Sequence, residues 1–454
     1  MTKHFAGARI RTLRRQHDLT QVQMAKRLDI STSYLNQLEN NQRPLTVSVL
    51  LQITESFDVE ATYFSDDQDL RIVHELAELL PETPEDELID FTARYPEMAR
   101  SVLRLPRPGQ AKEESPYQAV REFFYQGRNF FHELDFAAEE FATWAGVRQL
   151  RLTRIATALD EEFGITSRFN KISGGPRRVF NPETRELLLR TGLTEAQQCF
   201  ELAFQYGITK ESSLIDDYVA DLPSEESRKI ARLGLAQYYA AAVTMPYGKI
   251  LKAADETRYD IELIAARFGT GFESTCQRLS TLQRPGSRAV PFFFVRTDRA
   301  GNISKRQSSS TFHFSRTGGT CPLWVVHRAF ETSNRITRQV AVMPDGRAYL
   351  WIARMVKGAV QAFGQPSKEF SVGLGCDLDH AHRLVYADQL NLNPAAATPI
   401  GPGCATCLRD DCAQRAFPVE GRKVALDLNV TTDAVYETVL SSGRRSQAND
   451  AQPQ

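Results

Sequence analysis

The sequence lacks three features that would place the chain outside the ordinary globular class. No apolar run approaches the roughly 18–20 residues that a membrane-spanning helix needs. The N-terminus, MTKHFAGARIRTLRRQ, is polar and basic and has no apolar segment of a secretion signal. Cysteine is scarce, with seven in 454 residues, which argues against a disulfide framework. We therefore expect a cytoplasmic protein with no membrane partner, built from roughly two to four domains.

Charge is nearly balanced over the whole chain but not at its start. The formal net charge is −1, whereas residues 1–50 carry eight Lys and Arg against three Asp and Glu. A basic module on a near-neutral chain fits contact with a polyanion. A solvated helix face is the alternative explanation.

Apolar spacing predicts four short helices at about 5–16, 21–28, 32–40 and 46–57. Thr20 and Ser31 are suited to N-cap the second and third helices. The third helix turns Leu35 and Leu38 inward and leaves a polar face outside. Two short helices joined by a tight turn, with such a face on the second, suit the major groove of DNA. A small helical bundle that binds protein is the alternative.

The string LTQVQMAKRLDISTSYLNQLENNQRPL resembles the Cro/C1-type family of helix-turn-helix domains over about residues 5–64. The resemblance implies that Gln21 and Asn40 contact phosphates, while Thr32, Ser33 and Gln37 reach base edges. Such domains usually read operator DNA as two-fold dimers, so we expect a homodimer. The predicted DNA-binding residues are Gln21, Thr32, Ser33, Tyr34, Asn36, Gln37, Asn40 and Arg43. Of these, Arg43 is expected to contact the DNA backbone.

The middle of the chain is expected to begin with a helical connector and linker over 66–116. A single long helix is predicted at 117–143, with an aromatic stripe that suits a core, a ligand pocket or an oligomer seam. Strands are predicted at LRLTRIAT, RRVFN and RELLL, within residues 148–193. Further helices are predicted at 194–207, 228–243, 260–268 and 271–282.

This order resembles the zinc metallopeptidase-like domain that follows helix-turn-helix modules in phage and stress regulators. In that domain an HExxH helix supplies two zinc ligands and a glutamate base. The matching positions here read Phe200-Glu201-Leu202-Ala203-Phe204, and Leu235 stands where an acidic ligand would sit. Phenylalanine cannot ligate a metal, so we expect the scaffold without peptidase chemistry, and the two phenylalanines in the vacated space.

After Pro285-Gly286 the pattern becomes strand-like, in PFFFVRTD, GNISKRQ, CPLWVVHRAF, TRQVAVMP, AYLWIARMV, FSVGLGC and VALDLN. We expect an antiparallel sheet of five to seven strands flanked by helices, which resembles the GAF fold. Such sensor domains hold a small molecule in a pocket over the sheet.

A cysteine cluster, GPGCATCLRDDC, has the spacing C-x2-C-x4-C at Cys404, Cys407 and Cys412. Structural zinc and iron–sulfur clusters both need four such ligands, and three free thiols are the alternative. The candidate fourth ligands are Cys376, Cys321, His380 and His382. Cys199 and Cys276 lie inside helical patterns, where we expect them to be buried as small hydrophobic residues.

Taken together, the chain resembles the short-chain fatty acyl transcriptional regulators, over roughly residues 5–430. The strings that carry this resemblance are the helix-turn-helix, the degenerate peptidase scaffold with YDIELIAARFGTGFES, GGTCPLW, GCD, and the cysteine cluster followed by QRAFP. Members control methylcitrate-cycle, glyoxylate-shunt or propionyl-CoA carboxylase genes. The resemblance implies acyl-CoA as effector and favours a [4Fe–4S] cluster over zinc, and we prefer Cys376 over Cys321 as fourth ligand.

Coenzyme A would need cationic groups for its phosphates and an apolar slot for its acyl chain. Solvated surface charge is the alternative role for each basic residue. The candidates are Arg177, Arg178, Arg296, Arg299, Lys305 and Arg306.

The sequence thus predicts a multidomain chain, helical first and then α+β, that binds DNA and is not an enzyme. The rival hypotheses are a redox or iron sensor, in which the cluster is the input, and a metallopeptidase that cleaves a partner. The predicted domains are a helix-turn-helix domain at 5–65, a connector at 66–116, a peptidase-like domain at 117–285, a GAF-like domain at 286–435 and a disordered tail at 436–454.

Overall fold

The computed structural model describes most of the chain. The described residues are 7–57 without 18 and 41, 72–104 without 74, 78, 81 and 82, 115–170, 175–308, 320–358, 363–409 without 366, 412–420, and the pieces 424–425, 429 and 437–438. The predicted tail therefore lies outside them, apart from residues 437–438. The chain divides into two compact units, one of residues 1–111, 311–317 and 410–454, the other of 112–310 and 318–409.

The first unit contains the predicted helix-turn-helix. The Thr20 side chain accepts a hydrogen bond from the backbone N–H of Gln23, and the Gln23 side-chain oxygen accepts one from the backbone N–H of Thr20. The Ser31 side chain caps the next helix by accepting from the backbone N–H of Tyr34. Both predicted N-caps are therefore confirmed. Asp29 takes a left-handed φ of 50° in the tight turn between them. The helices are α1, Gly7–Gln16; α2, Gln21–Arg27; α3, Thr32–Glu39; and α4, Val47–Phe57.

Two further helices of the first unit belong to the predicted connector. They are α5, Glu85–Arg94, and α6, Pro96–Arg104. Leu88 and Ala99 are buried with Ile72, Val73 and Leu76 in a small core of their own. The amphipathic segments of the predicted connector therefore fold into helices that share a small core, and do not serve only as a linker.

The second unit begins with helices and a small sheet, and two of the predictions made for it were wrong. The helix expected at 117–143 is broken at Gly127–Phe131, where Arg128 and Asn129 both adopt positive φ. The segment LRLTRIAT is helical, because Arg151, Ile155 and Leu159 are buried at a spacing of four residues. The elements are α7, Pro116–Gln126; α8, His132–Trp144; α9, Arg148–Phe163; β1, Thr166–Asn170; β2, Arg178–Asn181; β3, Glu186–Arg190; α10, Glu195–Lys210; α11, Ser212–Val219; and α12, Glu225–Thr244.

The same unit ends in a six-stranded sheet with helices packed on it. The order is β5-β4-β8-β7-β6-β9; its strands pair antiparallel, except for the short parallel contact of β9 with β6. The elements are α13, Tyr247–Glu256; α14, Ile261–Phe268; α15, Phe272–Leu279; β4, Phe293–Thr297; β5, Ile303–Ser308; α16, Val325–Arg328; β6, Thr337–Val342; β7, Ala348–Lys357; β8, Glu369–Asp377; and β9, Thr398–Pro399.

Alternation of side chains gives this sheet two buried faces. Phe294, Leu350 and Cys376 share one face with the helices α13 to α15. On the other face, Trp351 packs edge-on against Trp324, with ring centroids 4.7 Å apart. The second face is covered by the segment CPLWVVHRAF, which is therefore a turn and a short helix and not the predicted strand.

The predicted strand VALDLN also differs from expectation. Its described residues form β10, Val424–Ala425, which pairs with β11, Glu437–Thr438, in a separate two-stranded ladder of the first unit. The overall class, helical first and then α+β, is confirmed. Within the described residues, no helix combines the length and the apolarity that a membrane crossing requires.

Candidate functional site

The outer face of α3 carries most of the predicted DNA-binding residues. Leu35 and Leu38 are buried beneath it, which fixes the rotation of the helix. Arg43 extends this face beyond the helix: its backbone N–H donates to the carbonyl of Gln37 and its guanidinium lies 5.7 Å from the centroid of the Tyr34 ring. Thr32, Ser33, Asn36, Asn40 and Arg43 are exposed, while Gln21, Tyr34 and Gln37 are half-buried.

A buried carboxylate, which the sequence reasoning missed, holds this face together. Glu39 is 2% exposed and accepts hydrogen bonds from Arg14 Nε at 2.6 Å and from Gln21 Nε2 at 2.8 Å. Arg11 donates to the Glu39 carbonyl and to Asn40 Oδ1, each at 2.8 Å. The signal was available, because Glu39 follows Leu35 and Leu38 at the spacing of the inner face.

The electrostatics of this carboxylate favour its charged form. Burial alone would raise the pKa of Glu39, but the hydrogen bonds from Arg14 and Gln21 and the nearby guanidinium charges outweigh it, so the pKa lies below its ordinary value. The same hydrogen bond raises the pKa of Arg14. The pair therefore stays ionised at neutral pH.

The second unit encloses a cavity of about 920 Å³ between its helices and its sheet. The walls come from β2, α10, α12, α15 with the loop before it, and strands β4, β5 and β7. Cationic side chains outnumber acidic ones among the described lining residues. The cations are Arg177, Arg178, Arg278, Arg296, Lys305, Arg354 and Lys357, and the acids are Glu201 and Glu273.

The cavity brings together four of the six cations that the sequence offered for coenzyme A. Arg177 and Arg178 reach it from the small sheet, and Arg296 and Lys305 from the large one. Arg306 alternates with Lys305 along β5 and is not part of the lining.

Arg299 also lies outside the lining. It pairs with Glu369, with Arg299 Nη2 at 2.9 Å from the carboxylate, and its guanidinium stacks over Phe330. Arg278 and Arg354 were missed because both lie inside helix or strand patterns that predicted only structure.

The charges in the cavity are unevenly compensated. Arg296 Nη1 and Lys305 Nζ lie 2.8 Å and 3.8 Å from the single carboxylate of Glu273. Burial lowers the pKa of Lys305, Glu273 opposes that shift, and the charges of Arg296 and Arg177 add to it. This part of the cavity is therefore suited to an anionic ligand.

The positions that match the HExxH motif of the peptidase-like family lie in the same cavity. Phe200, Glu201 and Phe204 all line it, and Glu201 is paired with Arg178, whose Nε lies 3.6 Å from the carboxylate. The Arg178 guanidinium sits 4.1 Å from the centroid of the Phe204 ring. Burial raises the pKa of Glu201, against the opposing charges of Arg178 and Arg177. This helix presents no metal-ligand pair.

The cysteine set is arranged differently from the preferred prediction. Cys376 lies on the sheet face that packs against α13 to α15, whereas the neighbouring Gly375 faces Trp351. Cys321 lies beside that opposite face, because its carbonyl accepts a hydrogen bond from the backbone of Trp324. The structure therefore does not bring Cys376 to the cysteine loop, and Cys321 replaces it as the fourth candidate.

Contacts of Cys321 support this replacement. Burial raises the pKa of Cys321, and its electrostatic neighbours include the thiols of Cys404 and Cys407. Gly401 packs so closely on Cys407 that an added Cβ would lie 2.5 Å from the sulfur. The part of the chain that the structure describes gathers no three Cys, His, Asp or Glu side chains as a ready metal site.

The remaining cysteines and the two candidate histidines occupy other parts of the chain. Cys412 follows two residues outside the described ranges and is partly exposed. His380 and His382 lie on a 3-10 helix whose Ala381 packs in the core that contains Cys376. Cys199 and Cys276 are buried within helices, as predicted.

Comparison with known proteins agrees with this architecture. The helix-turn-helix model matches residues 10–64, the IrrE N-terminal-like domain matches 160–280, and the C-terminal domain of the short-chain fatty acyl coenzyme A regulators matches 281–436. A solved structure titled Mycobacterium tuberculosis transcriptional regulator is 48% identical, with a TM-score of 0.68, and covers 71% of this chain and 99% of that one.

Curated relatives match nearly end to end. The HTH-type transcriptional regulator PrpR of Mycobacterium tuberculosis (strain ATCC 25618 / H37Rv) is 45% identical, over 97% of each chain. RamB of the same strain is 42% identical, over 96% of this chain and 99% of its own length. A propionyl-CoA carboxylase regulator from Cereibacter sphaeroides is 38% identical, over 96% and 99%.

These similarities define the chain as a helix-turn-helix transcriptional regulator and not an enzyme. It belongs to the family of short-chain fatty acyl coenzyme A regulators. The metallopeptidase hypothesis is therefore set aside, in agreement with the two phenylalanines at the zinc positions.

Proposed function

We propose that the chain is a cytoplasmic homodimer that controls genes of propionate or acetate metabolism, and that acyl-CoA changes its affinity for operator DNA. The observation that carries this proposal is the cavity in which Arg177, Arg178, Arg296 and Lys305 come together from two sheets. The names of the relatives and of the family supply the metabolic context.

The chemistry of coenzyme A matches this cavity. Its phosphates require several cations, and its acyl chain requires an apolar surface. Arg177, Arg296 and Lys305 supply the cationic part, while Phe200 and Phe204 supply apolar walls. The cavity volume, about 920 Å³, falls within the usual range for small-molecule sites.

A ligand in this position touches both the peptidase-like helices and the sheet of the second unit. It can change DNA affinity only by binding two arrangements of the dimer unequally. The direction of the effect, activation or repression, depends on the operator and not on the cavity.

The decisive experiment measures operator affinity by fluorescence anisotropy while propionyl-CoA or acetyl-CoA is added at micromolar concentration. We expect the affinity to change with wild-type protein. With Lys305→Gln, the same change in operator affinity should need about tenfold more acyl-CoA. That factor corresponds to the loss of one charge-assisted contact of about 1.4 kcal/mol. Arg299→Gln, a matched control at a cation outside the cavity, keeps the wild-type response. Indifference of the wild type to both thioesters would refute acyl-CoA sensing.

We also propose an iron–sulfur cluster, [4Fe–4S] in preference to zinc, on Cys321, Cys404 and Cys407 of the second unit; the C-x2-C-x4-C spacing of the sequence adds Cys412 as the remaining ligand. The donor chemistry fits, because four thiolates are what such a centre takes, and three of the four belong to one electrostatic neighbourhood. When bound, the cluster would supply a redox-active, oxygen-sensitive group to this edge of the sheet.

A redox or iron sensor is the second candidate function. The partial exposure of Cys404 and Cys412 favours it, since an exposed centre is open to oxidants. Protein purified without air can be exposed to oxygen while visible absorption and operator affinity are followed together. Loss of the cluster with unchanged operator affinity would exclude this function and leave acyl-CoA as the input.

A further inference from the structure

Phe200 and Phe204 stand where a metallopeptidase of this scaffold carries its two zinc ligands. We expected them to fill the vacated space as core residues. Both line the cavity from one face of α10, four residues apart; Phe204 also belongs to the buried core, and Phe200 packs against that core. Phe204 is almost fully buried, at 3% exposure, whereas Phe200 is only partly buried. Phe200 therefore presents its ring to the cavity.

The charge distribution assigns the two ends of the cavity to different chemistry. Next to the phenylalanines, Arg178 is stacked on Phe204 and its charge is balanced by Glu201, while Arg177 acts on both Glu201 and Lys305. At the other end, Arg296 and Lys305 share one carboxylate. A ligand with an anionic part and an apolar part is therefore oriented with the apolar part toward Phe200.

Helix α12, which packs against α10, forms another wall of the cavity. Gly234 of α12 lines the cavity, and a Cβ at this position would lie 2.6 Å from Phe124 Cζ. Leu233 and Ala241 of the same helix complete that wall. Phe200 lines the same cavity, so the size of its side chain changes the space left for a ligand there.

From this geometry we infer that the former zinc site has become the acyl slot, and that Phe200 sets the length of acyl chain the slot accepts. This inference rests on the proposed function, because it assumes that acyl-CoA occupies the cavity. It adds a determinant of specificity, whose failure can be separated from failure of acyl-CoA binding itself.

The test compares Phe200→Ala and Phe200→Trp with the wild type by isothermal titration. The probes are free coenzyme A and its acetyl, propionyl, butyryl and hexanoyl thioesters. Each methylene that fits into the enlarged slot of Phe200→Ala should improve affinity about fourfold, so the preferred chain becomes longer. Phe200→Trp should shift the preference toward acetyl-CoA. Free coenzyme A should bind all three proteins equally.

Phe169→Ala is the matched control, because Phe169 is 57% exposed on β1 and is not part of the cavity lining. It should leave the chain-length profile unchanged. If Phe200→Ala does not fold, Phe200→Leu, which removes less volume, takes its place beside Phe200→Trp. A shift in opposite directions for the smaller and larger side chains supports the inference.

Three results would overturn it. One is a chain-length profile that neither variant changes. Another is an equal loss of affinity for free coenzyme A and every thioester, which would place the adenine, not the acyl chain, on Phe200. The third is a wild-type affinity that rises steadily through hexanoyl-CoA. Absence of all binding by the wild type would instead refute the proposed function together with the inference.

Discussion

Arg14 donates from Nε to Glu39 Oε1 at 2.6 Å, and this contact joins the first helix of the DNA-binding module to its third. Glu39 is almost inaccessible to solvent, while the Arg14 side chain is 16% exposed. The same carboxylate holds Gln21, at the start of α2, so three helices meet at one charged group. The polar surface that we predict to face DNA is thus positioned from beneath.

Replacement of Glu39 by Ala should weaken operator binding, although Glu39 itself faces away from the solvent. The change removes the carboxylate to which both Arg14 and Gln21 donate, and loss of one partner of a buried pair costs about 3 kcal/mol of stability. Hydrogen exchange of the full chain should accelerate in α1 to α3. Glu39→Gln, which keeps one acceptor oxygen, should lie between Glu39→Ala and wild type. Unchanged exchange in Glu39→Ala would contradict this role.

The pH dependence of that stabilisation follows from the lowered pKa of Glu39. A carboxylate with a lowered folded-state pKa contributes its stability fully above its unfolded pKa and loses it as the pH falls through the folded value. Protection factors in α1 to α3, which compare each exchange rate with the intrinsic rate at the same pH, should therefore be constant from neutral pH down to the ordinary range of glutamate and fall only below it. Glu39→Gln should remove that acid-dependent step. A step near neutral pH would show that another group controls it.

Gln37 and Arg43 should contribute to DNA binding in different ways. Loss of a base contact by Gln37→Ala costs about 1–3 kcal/mol and should relax the choice of operator sequence. Arg43→Ala should weaken binding to every sequence and reduce the dependence of log affinity on log salt by about one. Anisotropy titrations over a range of salt concentrations separate the two effects. Unchanged promoter occupancy in the double variant would refute the assigned interface.

The sequence predicted those elements whose signals are local. The caps at Thr20 and Ser31 and most strands of the large sheet follow from residue type and short-range periodicity. Predictions were wrong where a short pattern suits two structures, as in LRLTRIAT. There the buried set, Ile155 and Leu159 among them, becomes visible only once the packing partner is known.

The ligand cavity could not be predicted in the same way. Arg177 and Lys305 are more than a hundred positions apart in the sequence, and only tertiary packing brings both to one cavity. Cys376 and Cys321 show the same limitation for the cysteine set. Spacing permits either as fourth ligand, and the alternation of β8 places Cys376 on the sheet face opposite to the one beside which Cys321 lies.

This alternation gives a matched pair of variants for the proposed cluster. Cys321→Ser should lower the iron and sulfide bound by protein purified without air, because it removes one of the proposed ligands. Cys376→Ser should keep wild-type iron, since its thiol lies among the apolar residues of the opposite face. Metal analysis of both proteins, with zinc measured alongside, is the readout. Loss of iron only in Cys376→Ser would restore the original assignment.

The last prediction concerns a buried charge network on the wall of the cavity. Asp135 is inaccessible and lies 2.7 Å from Arg278 Nη1, 3.2 Å from Arg284 Nη2 and 2.6 Å from the hydroxyl of Tyr238. Arg278 is 1% exposed, and its Nη2 has no hydrogen-bond partner within the described structure. Asp135→Ala therefore leaves a buried guanidinium without its carboxylate partner and should lower the free energy of unfolding by about 3–5 kcal/mol.

Removal of both charges together should lower the free energy of unfolding by less than the sum of the two single changes. Asp135→Leu with Arg278→Met replaces the pair by apolar side chains, which is often near neutral for a buried ion pair. Urea unfolding can be followed by tryptophan fluorescence, because Trp144, Trp324 and Trp351 all belong to the second unit. Strict additivity of the two single changes would mean that Asp135 and Arg278 do not stabilise each other.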